Sequence, residues 1–150
     1  LIDGEIIEKT TGSTENSAIA FNIGLEVGIH CRQHNIPCYI STGDGAYRIG
    51  NNTIAPDFAY KPTPMTPEYP DPIAPLWVVE VISPTDKVVD IRKKRQRYLD
   101  AGILLWEVYP DEQVIDVYAL HHPLTTYGIN STIEISVVEG LRIDVSKLFP

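Results

Sequence analysis

The sequence predicts an α/β fold, a mixed β-sheet flanked by helices, on three observations. An apolar run, "WVVEVISPTD" (77–86), leads through a charged, helix-like segment into a second apolar run, "ILLWEVY" (103–109), which is the order of a strand, a crossover helix and a parallel strand. Ahead of it, "CYIST", "AYRIG" and "TIAPDFAYK" are separated by Gly and Asn turns and read as a meander of short strands. A long stretch, "GSTENSAIAFNIGLEVGIHCRQH", precedes the meander and supplies a helix to cover the sheet.

The elements follow in order. "LIDGEIIEK" reads as a hairpin-like strand pair or a bent strand. Ser13 or Thr14 caps the first helix, Ile19, Ile23 and Val27 form its buried stripe, and Asn35 and Pro37 end it. "TIAPDFAYK" is taken as one strand, with Asp57 on the face of Ala55 and Ala59 and with Ile54, Phe58 and Tyr60 on the other. Residues 62–75 hold six prolines in fourteen positions, which excludes a helix or a central strand and predicts an extended loop. The second helix runs from Lys87 to Ala101 and stops at Gly102, and strands "ILLWEVY" and "VIDVYAL" turn around "PDEQ". "TIEISVV" is a last strand before the ending "GLRIDVSKLF".

With 150 residues, 43% hydrophobic and 21% charged, one globular domain spanning 1–150 is expected. The chain opens at Leu1 rather than Met, directly in strand-like sequence, so N-terminal residues are expected to be missing. No apolar run is long enough to span a bilayer, no basic-then-apolar leader precedes the first strand, and the two cysteines, Cys31 and Cys38, fit a reducing compartment; a cytoplasmic protein is expected. The net charge of −8 excludes binding of nucleic acid through an overall positive field. Six of the twelve Lys and Arg residues nevertheless fall between 87 and 97, where an anionic partner would be met.

One residue does not belong to a plain core strand. Alternation places Leu76, Val78, Glu80 and Ile82 on one face and Trp77, Val79 and Val81 on the other, so both faces read as buried and Glu80 sits where a charge is expensive. A cation, a basic partner or a bound proton could compensate it. Of the three Pro-Asp pairs, only Pro56-Asp57 lies in strand-like sequence, and its small neighbours Ala55 and Ala59 leave room beside the carboxylate. Two carboxylates on one sheet, Asp57 and Glu80, could hold a hard cation, since Mg²⁺ needs only one or two with water completing its shell. The alternative on the same residues is a structural ion pair between Glu80 and the following basic helix.

The ordered set "LIDGEII", "APDFAY", "VVEVISPTD", "KRQRYLDAGI", "LLWEVYP" and "GLRIDVSKLF" resembles the Uma-two family of endonucleases, within the PD-(D/E)XK superfamily of restriction-endonuclease-like fold. The resemblance implies a metal-dependent nuclease acting on DNA, with Asp57 and Glu80 holding Mg²⁺, or Mn²⁺, together with the carbonyl of Val81. The superfamily's lysine two residues after the Glu is Ile82 here, and the family's K-x-x-x-Y helix pattern assigns its role to Lys94, with Tyr98 the matching tyrosine. On a helical wheel Arg95 falls nearer the inward stripe than Lys94, so Arg95 is expected as a phosphate contact or a partner of Glu80. Asn16 stands where the family often has histidine; Glu15 and Glu5 are candidate outer ligands, and Ser83 shapes the exit from the strand. A homodimer would suit cleavage of both strands of a duplex.

Other constellations carry less. His30, Cys31, His34 and Cys38 match no closed zinc spacing, and histidines at a helix C-terminus are favoured by its dipole. No Gly-rich phosphate loop or Ser-His-Asp order occurs. The reading that competes with the nuclease is an interaction protein that keeps the fold, with Glu80 locked to Arg95 or Lys94.

Overall fold

The strand that carries Glu80, Trp77–Val81, is buried at every position and forms the middle of a six-stranded mixed sheet in the computed structural model, which describes residues 1–9 and 11–150. In chain order the strands of this sheet are β1 (Tyr39–Thr42), β4 (Phe58–Lys61), β5 (Trp77–Val81), β6 (Leu104–Tyr109), β7 (Val114–Tyr118) and β8 (Thr125–Tyr127), and this is also their spatial order. All neighbours are antiparallel except β5 and β6, which run parallel with Glu80 beside Glu107. The crossover between them is helix α2 (Val88–Asp100). Two short hairpins stand apart from the main sheet, β2 (Tyr47–Ile49) with β3 (Asn52–Ile54) and β9 (Thr132–Glu134) with β10 (Arg142–Asp144).

Alternation divides the core between the two faces of the sheet. Trp77, Val79 and Val81 meet the fully buried Ile19, Ile23 and Val27 stripe of α1 (Thr14–His34), and the Trp77 ring packs at steep angles of 64° and 60° against Phe58 and Trp106, with ring centres 4.9 and 4.8 Å away. Val78, Ala59 and Leu105 point the other way, toward Tyr98 of α2 and Ile103. The Ser13 hydroxyl accepts from the Asn16 amide and caps α1; Asn35, at φ 53°, closes it in the left-handed conformation that asparagine tolerates. Gly102, at φ 71°, ends α2, with its amide donating to the Leu99 carbonyl.

Several boundaries differ from the sequence expectation. "TIAPDFAYK" is two strands in two sheets, because Pro56 has no N–H for a ladder; the chain bends at 55–57, so Ile54 joins the cluster on the α2 side while Phe58 and Tyr60 face α1. Asp57 thus sits in the bend at the start of β4. Leu76 is 42% exposed and lies outside β5. "LIDGEIIEK" contributes only a tight bridge between Ile2 and Glu5. Pro70-Asp71 is more than a loop turn, since Asp71 is buried in an ion pair with the fully buried Lys61 at 2.6 Å. No helix among the described residues is long and apolar enough to cross a membrane.

Helix α2 is tied down by charge as well as by the buried Tyr98. Lys93 pairs with Glu5 at 2.8 Å, Arg97 with Asp3 at 2.9 Å, Arg95 with Glu107 at 2.6 Å and Lys94 with Glu80 at 3.6 Å, while a second pair of Arg97, with Asp100 at 3.0 Å, stays within the helix. Of the six basic residues between 87 and 97, only Lys87 and Arg92 have no ion-pair partner among the described residues. The expected positive surface is therefore mostly neutralised by the chain's own acids.

Candidate active site

Glu80 projects from the next-to-last position of β5 toward α2, and its two oxygens meet different donors. The Tyr98 hydroxyl donates to Oε1 at 2.5 Å, and the Lys94 ammonium lies 3.6 Å from Oε2. Lys94 and Tyr98, four residues apart, share a helix face, so one element delivers both. Arg95, one residue on, goes to the neighbouring strand instead: its Nε and Nη2 engage both oxygens of Glu107 at 2.6 to 3.2 Å, and its guanidinium lies 4.6 Å from the Tyr118 ring centre. The expected Arg95–Glu80 pairing is thus not formed. Its planar fork fits the two oxygens of a carboxylate, whereas Lys94 presents a point charge.

Asp57 approaches from the bend before β4. Its Oδ2 accepts from the Val81 amide at 2.7 Å, which fixes the carboxylate beside β5, and Oδ1 lies 3.6 Å from the ammonium of Lys9. Lys9 also donates to the carbonyls of Gly43 at 2.6 Å and Ala55 at 2.8 Å. Asp57, Glu80, Val81, Lys94 and Lys9 border a single cavity of about 570 Å³, and Arg95, Tyr98, Glu107 and Asn16 line it as well. Ile82 lines it too and brings no charge, so the cation beside Glu80 is Lys94 of α2.

The electrostatics explain the cost of this arrangement. Burial raises the Glu80 pKa above the ordinary carboxylate value; Lys94 opposes the shift, the charge of Asp57 adds to it, and the Tyr98 hydrogen bond opposes it. The ion pair does not fully compensate the buried charge. The Lys94 pKa is raised by Glu80 against its own desolvation, so Lys94 stays an ammonium at neutral pH. Burial, reinforced by Glu80, lifts the Tyr98 hydroxyl well above 10, so it acts as a donor only.

The donor set suits a hard divalent cation such as Mg²⁺ or Mn²⁺. Two carboxylates border one cavity, repel each other, and leave one buried charge under-compensated; such ions take one or two carboxylates with water. Among the described residues no group of three or more His, Cys, Asp or Glu side chains is placed to hold a metal, so the pair would act with backbone carbonyls and water.

Not every expected residue is here. Glu5 is paired with Lys93 on the surface, and Glu15 is exposed on α1 outside the cavity lining. Ser83 accepts from the Thr85 amide and donates its own amide to Asp86, shaping the turn into α2. His30 Nε2 meets the Glu139 carbonyl and His34 Nδ1 the His30 carbonyl, which ties both imidazoles to the backbone. Two residues escaped the sequence reading. Glu107 carried the same signal as Glu80, a carboxylate inside an apolar strand, and Lys9 carried none.

A family model, Uma2 (Uma-two), described as "Putative restriction endonuclease", matches residues 1–146. No curated protein matches the chain. Among solved structures, a protein from Anabaena variabilis ATCC 29413 described as "a putative nuclease belonging to DUF820" superposes with a TM-score of 0.82 at 22% identity, over 99% of this chain and 87% of that one, and shares its fold. From the ordered motifs, the mixed sheet and the match along nearly its whole length, the chain belongs to the Uma2 family.

Proposed function

We propose that the protein is a metal-dependent endonuclease that hydrolyses phosphodiester bonds in DNA. The observation that carries this reading is Glu80: a carboxylate inside a strand buried at every position, under-compensated by Lys94, and open to a cavity it shares with Asp57. The family description supports the class of reaction. Asp57 and Glu80, with the Val81 carbonyl, would hold Mg²⁺ or Mn²⁺, which supplies an acidified water and neutralises charge growing on the phosphate.

The chain's own groups then have separate tasks. The Val81 amide holds Asp57 and the Tyr98 hydroxyl holds Glu80, so both carboxylates are oriented before a ligand arrives. Lys94, kept protonated by Glu80, orients the attacking water and stabilises phosphate charge as a hydrogen-bond donor. It is not a base in this role. Arg95 serves the scaffold by neutralising Glu107.

Nicking of supercoiled plasmid at low salt with Mg²⁺, Mn²⁺ or EDTA tests the reading. Cleavage is expected only with metal, and to fall by roughly 100-fold or more in Glu80→Gln and in Lys94→Ala, the scale of a lost electrostatic catalytic group. Cleavage that persists in Glu80→Gln overturns it. Absence of both cleavage and metal-induced thermal stabilisation favours the interaction protein, in which the 3.6 Å Lys94–Glu80 contact is purely structural.

A further inference from the structure

We propose that Lys9 is a resident cation of this site, which competes with a divalent ion for Asp57 and thereby sets the metal affinity; the inference rests on the metal reading above. Its ammonium is held by three oxygens from two segments of the chain: the Gly43 carbonyl at 2.6 Å, the Ala55 carbonyl at 2.8 Å and Asp57 Oδ1 at 3.6 Å. Those partners lie in the turn after β1 and in the bend that carries Asp57. Two carbonyls and a carboxylate are also what Mg²⁺ or Ca²⁺ takes from a protein. The ammonium therefore occupies a cradle with the donor chemistry of a cation site.

The charge balance explains why this matters. Lys9 faces Asp57 and Lys94 faces Glu80, so an ammonium stands beside each carboxylate. A divalent ion arriving between the carboxylates meets those two positive charges. Lys94 is mostly covered, with its side chain 26% exposed, but the Lys9 side chain is 41% exposed and can turn into water on a four-carbon stem. Lys9 is the cation that yields. Charges of +1 and +2 about 5 Å apart repel by roughly tenfold in a binding constant even at the dielectric of water.

Calorimetric titration with Mn²⁺ at fixed salt, on the whole chain, tests this without any turnover. Lys9→Met is expected to bind Mn²⁺ about tenfold more tightly than wild type, Lys9→Arg to return toward the wild-type Kd, and Lys87→Met, a charge on the same cavity wall with no ion pair among the described residues, to shift Kd by less than about threefold. Melting of each variant in EDTA establishes that it is folded. Binding that depends on Glu80 in wild type but is unchanged or weaker in Lys9→Met overturns the competition and leaves Lys9 a structural tie. Should wild type bind no Mn²⁺, the metal reading itself fails, and this inference with it.

Discussion

Glu80→Gln, examined without metal, separates a functional carboxylate from a structural one. At 3.6 Å and an effective dielectric near 20, Lys94 and Glu80 attract by about 4–5 kcal/mol before desolvation is counted. Taking a carboxylate out of water costs several kcal/mol, and the raised pKa of Glu80 says that burial exceeds the help it receives. Glutamine has the same shape, keeps an oxygen for the Tyr98 hydroxyl and carries no charge to desolvate, while the Lys94 ammonium keeps its place on the cavity wall, where water can reach it. The variant is therefore expected to be within about 1 kcal/mol of wild type at pH 7, or above it. A structural pair that lost one partner would cost about 3–5 kcal/mol, which for a chain of this size lowers Tm by roughly 6–20 °C. The assay is thermal and urea unfolding in EDTA, followed by circular dichroism. A raised carboxylate pKa adds stability below pH 4.5 that is lost as pH rises through the folded-state value, so wild type should gain on the variant only at acid pH. A drop in Tm of 6 °C or more at pH 7 would refute the argument.

The same shift predicts how metal binding responds to pH. A cation needs the ionised carboxylate, so Mn²⁺ affinity should rise with pH through the elevated Glu80 pKa and protons should be released on binding, which titration in buffers of different ionisation enthalpy detects; affinity that does not rise as pH is raised from 4.5 would contradict it. Glu107→Leu should behave unlike Glu80→Gln. Glu107 is 1% exposed and holds Arg95 through both oxygens, so its loss leaves a guanidinium without its partner and should cost about 3 kcal/mol in urea unfolding; a loss below about 1 kcal/mol would make that pair dispensable.

Much of the frame could be read from spacing alone. The Ile19, Ile23 and Val27 stripe and the strand–helix–strand crossover through β5, α2 and β6 are periodic signals over long segments, and the structure carries them where expected. Shorter features were less legible. The strand β8, "TTY", is three residues and mostly exposed, with no apolar alternation to announce it. The break at Pro56 was readable from the missing N–H, but continuous β-like composition on both sides concealed it. Lys94 was named by resemblance while the helical wheel favoured Arg95. Side-chain chemistry decides between them: the guanidinium fork goes to Glu107 and leaves Glu80 to the lysine. Lys9 could not be found by pattern, because its carbonyl partners lie 34 and 46 residues away.

The ion pairs that fasten α2 also bear on how the protein would meet a polyanion. Neutralising each phosphate of duplex DNA releases nearly one condensed counterion, so the logarithm of affinity falls with the logarithm of salt by about 0.9 per contact. Six free cations on and before this helix would give a slope of about −5. With Lys93, Lys94, Arg95 and Arg97 already paired to acids of the same chain, Lys87 and Arg92 alone account for a slope of about −2. Binding through this helix would then be weak but little affected by ionic strength, leaving groups in the cavity to hold the substrate.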